Sequence, residues 1–327
     1  MPRKRPIRKP IALHRGDAIG IVAPASPVDP ARLREGIREL EAIGYRVIFD
    51  QQVLARNGFY AGEHDARAQA FLNYLEDPEI RAIFCARGGY GSNYIMERFS
   101  SRAMLHRLQR LTPKIVMGYS DITSLLQFLH QTLGWVCFQG PMLTKDFSAG
   151  ETGYNRHVME QTLGIFSRGL TLETDAQTWR PGTVEGRLTG GCFSIVNATL
   201  GTPHEIDTKG CILLLEDVDE KPFRVDRMLF HLRRAGKLRD IKAVVFGEML
   251  GCGLGSSPAE SLHELILEAF AGQNIPIVFG LRFGHNSGYC LTLPLGVRVR
   301  LEADEQVRLT LLEPAVRPPN TKPRKRK

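Results

Sequence analysis

Short apolar runs alternate with amphipathic segments through the first half of the chain, and this alternation constrains the fold more than any other feature. Residues 17–26 (DAIGIVAPAS) read as a strand running out into small residues and proline. Residues 31–44 set Leu33, Ile37, Leu40 and Ile43 at helical spacing and stop at Gly44. A strand over 45–49, a helix over 65–77, a strand over 80–87 (IRAIFCAR), a helix after GGYG and a strand over 114–120 (KIVMGYS) continue the pattern. A crossover long enough to hold a helix returns the chain to the same end of the sheet, so such strands run parallel. The expectation is an α/β fold, with a parallel sheet covered by helices on both faces. Sites in such sheets lie at the carboxyl ends of strands. Those ends are Ala25-Ser26, Arg87-Gly88-Gly89 and Tyr119-Ser120-Asp121.

The pattern thins between 150 and 180, where GETGYN and TWRPGT are rich in turn residues. A boundary near 165 follows, giving domains over 11–165 and 166–313, which suits a chain of 327 residues. The second, smaller α/β domain opens with GTVEGRLTGG and a short helix. Strand 211–217 (CILLLED), helix 223–236, strand 243–249 and helix 259–270 follow, and the end reads as closely spaced strands.

The net charge of +8 suggests an anionic partner until its position is considered. Residues 1–10 and 314–327 carry eleven cations and no acid, which leaves a formal −3 on residues 11–313. These basic tails are expected to be disordered, and nucleic-acid contact through them is the less favoured reading. No stretch approaches the roughly 20 apolar residues that a membrane span needs. The basic start imitates a signal peptide, but IALHRGD interrupts it with His14, Arg15 and Asp17. Six scattered cysteines without a CxxC read as reduced, mostly buried thiols of a cytoplasmic chain.

The sharpest local signal is KIVMGYSDITSLLQFLH over 114–130. A strand ends at Gly118-Tyr119, Ser120 sits at the turn and a helix begins at Asp121. Ser120 there projects above the sheet, and the Asp121 N–H at a helix start can stabilise an oxyanion. This resembles a hydrolase nucleophile elbow without its G-x-S-x-G pattern. The alternative is that Ser120 only caps the helix. RGGY over 87–90 supplies glycine N–H groups able to approach a ligand, or an ordinary turn. The strand ending in Glu216, Asp217, Asp219 and Glu220 offers a carboxylate to orient a histidine, a pair of Mg²⁺ ligands in Asp217 and Asp219, or a solvated acidic loop. His285 stands out among nine histidines because it follows an apolar strand in the Gly-flanked FGHNSG. Arg87, Arg224 and Arg227 can bind a carboxylate or serve internal ion pairs. His263-Glu264 begins HExxH, but Leu267 stands where the second histidine must be. GCGLGS over 251–256 has no phosphate-loop spacing and reads as a mobile loop.

Together, GDAIGIVAPAS (16–26), ARGGYG (86–91), KIVMGYSDIT (114–123), GRLTGG (186–191), LLLEDVDEKPFRVDRML (213–229) and the terminal FGH resemble the serine LD-carboxypeptidases. This family holds the muropeptide LD-carboxypeptidases and the microcin self-immunity peptidases. The likeness runs in order from about residue 16 to 300, and the acidic EDVDEKPFRVDR segment looks more like the muropeptide branch. It implies a flavodoxin-like N-terminal domain and a smaller C-terminal domain, with the site in the cleft between them. It further implies a triad of Ser120, Glu216 and His285, and an oxyanion hole from the N–H groups of Gly89 and Asp121. Arg87, Tyr90 and Arg224 become candidate substrate contacts. No metal or organic cofactor is implied, and a homodimer is. The implied reaction removes the terminal D-Ala from murein tetrapeptides during cell-wall recycling; the alternative substrate is an aminoacyl- or peptidyl-nucleotide. Cys192-Phe193 departs from the Asn-Leu-like pair expected after Gly190-Gly191, which concerns packing around the site. The basic tails match nothing in the family.

Overall fold

The structure is a computed structural model that describes residues 6–164, 167–255 and 257–319. The first half builds β1 (Ala18–Val22), α1 (Pro30–Ile43), β2 (Arg46–Ile48), α2 (His64–Glu76), β3 (Ile80–Cys85), α3 (Ser92–Phe99), α4 (Arg102–Arg110), β4 (Ile115–Gly118), α5 (Thr123–Leu133), β5 (Cys137–Gln139) and α6 (Arg156–Leu163). Then come β6 (Thr171–Thr174), β7 (Gln177–Arg180), β8 (Gly182–Cys192), α7 (Phe193–Ala198), β9 (Cys211–Glu216), α8 (Pro222–Arg234), β10 (Ala243–Gly247), α9 (Pro258–Ala269), β11 (Ile277–Leu281), β12 (Leu293–Leu295), β13 (Arg298–Ala303) and β14 (Val307–Leu311).

Strands β1 to β5 are parallel in the order β5-β4-β3-β1-β2, the flavodoxin-like arrangement. Every residue of β1 is buried, as expected for a strand covered on both faces. Helix α1 starts where the Asp29 carboxylate accepts from Ala31 N at 2.7 Å and Pro30 enters the first turn. It stops at Gly44, whose φ of 110° is left-handed.

The second sheet runs β6-β14-β13-β8-β9-β10-β11-β7. Its centre, β8 to β11, is parallel, and antiparallel strands extend both sides. Two hydrophobic cores flank it, and strand alternation divides the side chains between them. Ile212 and Leu214 of β9 belong to the core shared with the first sheet, whereas Leu213 and Leu215 join α7, α8 and α9 on the other face. Strand β10 divides likewise, with Ala243 and Val245 against Val244 and Phe246. Strand β12, from the second half of the sequence, pairs antiparallel with β5 at the edge of the first sheet.

The tight pairing of β8 with β9 depends on Gly190. Its φ is +132°, and a Cβ there would lie 1.9 Å from the Leu214 carbonyl oxygen. Backbone cannot yield as a side-chain tip does. Gly190→Ala is expected to cost about 3 kcal/mol or more of stability, read by calorimetry as a Tm lower by several degrees. A Tm equal to wild type would contradict this account.

Four local expectations change. The TWRPGT stretch supplies β7 and the start of β8; its Pro-Gly marks only the turn, and pairing with β11 makes the preceding residues a strand. Helix α4 and strand β5 were not anticipated. The helix after Ser120 does not start directly at Asp121: a 3₁₀ turn, Ser120–Ile122, precedes α5 because Ser120 has a φ of +61°. The inner parts of the basic tails are built into the body. Arg8 N donates to the Gly134 carbonyl at 2.7 Å, and its guanidinium reaches the carbonyls of Gln109 and Leu111 at the end of α4. Lys9 pairs with Glu313 at 2.9 Å, and Arg317 N donates to the Pro10 carbonyl. Cations find fixed acceptors there, so charge alone does not exclude order. The remaining tail residues, 1–5 and 320–327, and residues 165 and 166 at the expected boundary lie outside the described residues.

Candidate active site

The carboxyl ends of β3, β4, β9 and β11 come together at one place. The end of β3 leads to Arg87-Gly88-Gly89-Tyr90. Ser26, beyond β1, holds this turn: its N–H donates to the Gly88 carbonyl at 3.3 Å and its Oγ accepts from Tyr90 N at 3.0 Å. The end of β4 leads to Tyr119 and Ser120. These two strand ends touch, since a Cβ on Gly88 would lie 3.0 Å from Ser120 Oγ.

Ser120 is half-buried, and its Oγ has no hydrogen-bond partner among the described residues. Its left-handed φ of +61° stores about 1–3 kcal/mol in a residue with a Cβ. The Ser120 side chain therefore caps nothing, and the capping alternative fails on geometry. The N–H groups of Gly89 and Asp121 also lack partners within the chain, among the described residues. The Asp121 carboxylate accepts from Ser92 N at 2.8 Å, fastening α3 to the turn. Burial pushes that carboxyl up, and the amides of Ser92 and Gly91 oppose the shift.

Glu216 closes β9 and is fully buried. Continuing the alternation of Ile212 and Leu214, it projects from the face that carries the shared core. Its Oε2 accepts from both the backbone N and the Nδ1 of His285, each at 2.8 Å. Its Oε1 faces Gln139 Nε2 at 3.5 Å. Gly284 makes this contact possible: its φ is +67°, and a Cβ there would lie 2.3 Å from Glu216 Cδ. Burial alone would push the His285 imidazole down, but the hydrogen bond and charge of Glu216 prevail and raise it above 6.5. With Nδ1 held by a carboxylate, Nε2 is the nitrogen left for proton transfer.

No hydrogen bond joins Ser120 to His285 among the described residues; Tyr119 connects them. The buried Tyr119 ring meets the His285 ring edge-on at 5.2 Å between centroids, and Ser120 is the next residue. Asp146, also buried, accepts from Met142 N at 2.7 Å and lies 3.4 Å from the Tyr119 hydroxyl. Burial raises its carboxyl to about 6, against the opposing charge of Lys145. Tyr119 was named in the sequence only as part of a strand end, and Gln139, Lys145 and Asp146 were absent from the sequence-based candidates. Their signal was VCFQGP, an apolar run cut by Gly-Pro, which ends another parallel strand at the same edge.

The other candidates are dispersed. Asp217 alternates to the opposite face of β9, where its Oδ2 accepts from Ser194 N at 2.7 Å at the start of α7. Its oxygens also take Val218 N at 3.0 Å, and Asp219 lies in the following turn with a φ of 57°. Cys192 N donates to Thr123 Oγ1 at 3.0 Å, so β8 is tied to α5 at this position through a backbone group that does not depend on the side chain. Arg87 is exposed and donates to the Pro27 carbonyl at 3.1 Å. Arg224 pairs with Glu220 within its own segment at 3.5 Å. Tyr90 is half exposed in a cluster with Tyr60 and Tyr94. No helix among the described residues is long and apolar enough to cross a membrane.

Fold and site together define an α/β peptidase. The chain belongs to the LD-carboxypeptidase family: residues 19–140 match its N-terminal domain and residues 185–301 its C-terminal domain. It is 34% identical to a probable murein peptide carboxypeptidase of Bacillus subtilis, over 91% of this chain and 92% of that one. Among solved structures, muramoyltetrapeptide carboxypeptidase from Oxalobacter formigenes superposes with a TM-score of 0.78 at 27% identity, covering 90% of this chain and 99% of that one. Microcin C7 self-immunity protein MccF, in complex with aspartyl sulfamoyl adenosine, superposes with a TM-score of 0.82 at 23% identity over 94% and 99% of the two chains, a likeness of fold.

Proposed function

We propose that this chain is a serine LD-carboxypeptidase that hydrolyses the amide between an L-diamino acid and the terminal D-Ala of a murein tetrapeptide. The observation that carries the reading is the buried Glu216 holding His285 Nδ1 at 2.8 Å, with the His285 ring against Tyr119, the residue before the strained Ser120. Ser120 Oγ attacks the carbonyl, and His285 Nε2 takes its proton. The N–H groups of Gly89 and Asp121 hold the oxyanion. His285 then delivers the proton to the departing D-Ala amine, and water attacks the acyl-enzyme with His285 again as base. Glu216 keeps the imidazole in the productive tautomer and stabilises its cation. The 34% identity to a murein peptide carboxypeptidase supports the substrate class. Trimming of recycled muropeptides in the cytoplasm is the setting this reading implies.

Release of D-Ala from a murein tetrapeptide tests the reading, with an aminoacyl-sulfamoyl nucleoside assayed in parallel. D-Ala release is expected; cleavage of the nucleoside conjugate alone would move the chain to the microcin-type alternative. The base must be neutral to accept the serine proton, so activity falls as pH drops through the His285 value. That value is raised, so the acid limb of kcat/KM is expected above 6.5. A limb below 6.5 would contradict a Glu216-held base.

A further inference from the structure

A carboxypeptidase must recognise the free carboxylate beside the scissile bond. In the leaving residue, two bonds separate the scissile nitrogen from the carboxylate carbon, a separation of about 2.5 Å. The cation that binds the carboxylate must therefore flank the histidine that protonates the leaving amine.

The three arginines singled out in the sequence are otherwise engaged. Arg87 donates to the Pro27 carbonyl, Arg224 of α8 pairs with Glu220 just before that helix, and Arg227 lies over the Phe223 ring. Lys145 is a cation whose charge acts on His285. Its neighbour Thr144 donates to the Ala86 carbonyl through both N and Oγ1, each at 2.9 Å, and Leu143 N reaches the Cys85 carbonyl at 3.3 Å. The loop after β5 is thereby pinned to the end of β3, directly before Arg87-Gly88-Gly89. The Lys145 ammonium lies 5.5 Å from the centre of the Tyr119 ring, the ring that also meets His285. Its side chain is 45% exposed, and its ion-pair partner is Asp146 at a long 3.9 Å. That carboxylate already accepts from Met142 N and is buried by its surroundings. Lys145 is thus preorganised at its backbone, and its ammonium keeps donors for a ligand.

We propose that Lys145 binds the terminal carboxylate of the residue being released and so makes the enzyme an exopeptidase. The inference rests on the carboxypeptidase reading and deepens it. A charge-assisted hydrogen bond of this kind corresponds to about a tenfold to hundredfold effect on kcat/KM.

The test compares a murein tetrapeptide ending in D-Ala with the same peptide ending in D-alaninamide, in wild type, Lys145→Met and Lys145→Arg. Wild type is expected to prefer the free carboxylate by about tenfold or more, chiefly through KM. Lys145→Met is expected to lose the preference by raising KM for the acid far more than for the amide peptide, and Lys145→Arg to restore part of it. An active wild type whose preference survives intact in Lys145→Met overturns this inference alone. A wild type that releases no D-Ala overturns the carboxypeptidase reading and this inference with it.

Discussion

Ser120→Ala is expected to lower kcat for D-Ala release by about four orders of magnitude or more, with the fold and substrate affinity retained. The fold survives because Ser120 Oγ has no hydrogen-bond partner among the described residues to lose, and Ala keeps the same Cβ at φ +61°. Affinity survives because the hydroxyl contributes to the attack, whereas a tetrapeptide is held by other groups. The measurement is pre-steady-state D-Ala release alongside equilibrium binding of the tetrapeptide to the variant. Binding near the wild-type level with no turnover is the expected pair of results. A variant retaining a tenth of wild-type kcat would remove Ser120 from the chemistry and leave its backbone strain without a function.

Glu216→Gln is expected to lower kcat/KM by about 10³- to 10⁴-fold and to move the acid limb downward. Gln keeps the shape that Gly284 and Gly247 accommodate around the side chain. It removes the charge. Burial alone disfavours the His285 cation, and the carboxylate is what offsets it. Without that charge the imidazole titrates lower, so the residual activity persists to more acidic pH while its maximum collapses. The same loss of rate with an unmoved limb would show that Glu216 orients the ring without tuning it. Retained activity would overturn its role altogether.

Much of the architecture was legible because parallel α/β sheets write themselves locally. The spacing of Leu33, Leu40 and Ile43 and the stop at Gly44 locate α1 without knowledge of anything else in the chain. The same holds for β9, whose apolar run ends in a carboxylate at Glu216. Errors arose where the partner strand decides the structure. Gln177–Arg180 is four residues long and runs into the Pro-Gly turn, so its strand character was masked, and its pairing with β11 is what orders it. Strand β12 reads as one more strand of the C-terminal end, yet it completes the first sheet by pairing with β5. The docking of Arg8 and Arg317 was hidden for a related reason: composition records the charge of a segment and not the carbonyls awaiting it.

The candidate site divides along the same line. Gly89, Ser120, Glu216 and His285 each follow an apolar run, and the resemblance to the LD-carboxypeptidases is what singled them out from their neighbours in the sequence. The sequence alone determined the fold class, the family and this short set of strand-end residues, all of which depend on local periodicity and motif. Tertiary structure alone decided that Glu216 and His285, 69 residues apart, share a hydrogen bond of 2.8 Å. It also turned Asp217 to the far face to start α7, put Tyr119 between Ser120 and His285, and set Lys145 on that ring. Those outcomes depend on register, on the alternation of a buried strand relative to its neighbours, and on the room left by Gly284. Each is a property of chain segments in contact, which no single segment encodes.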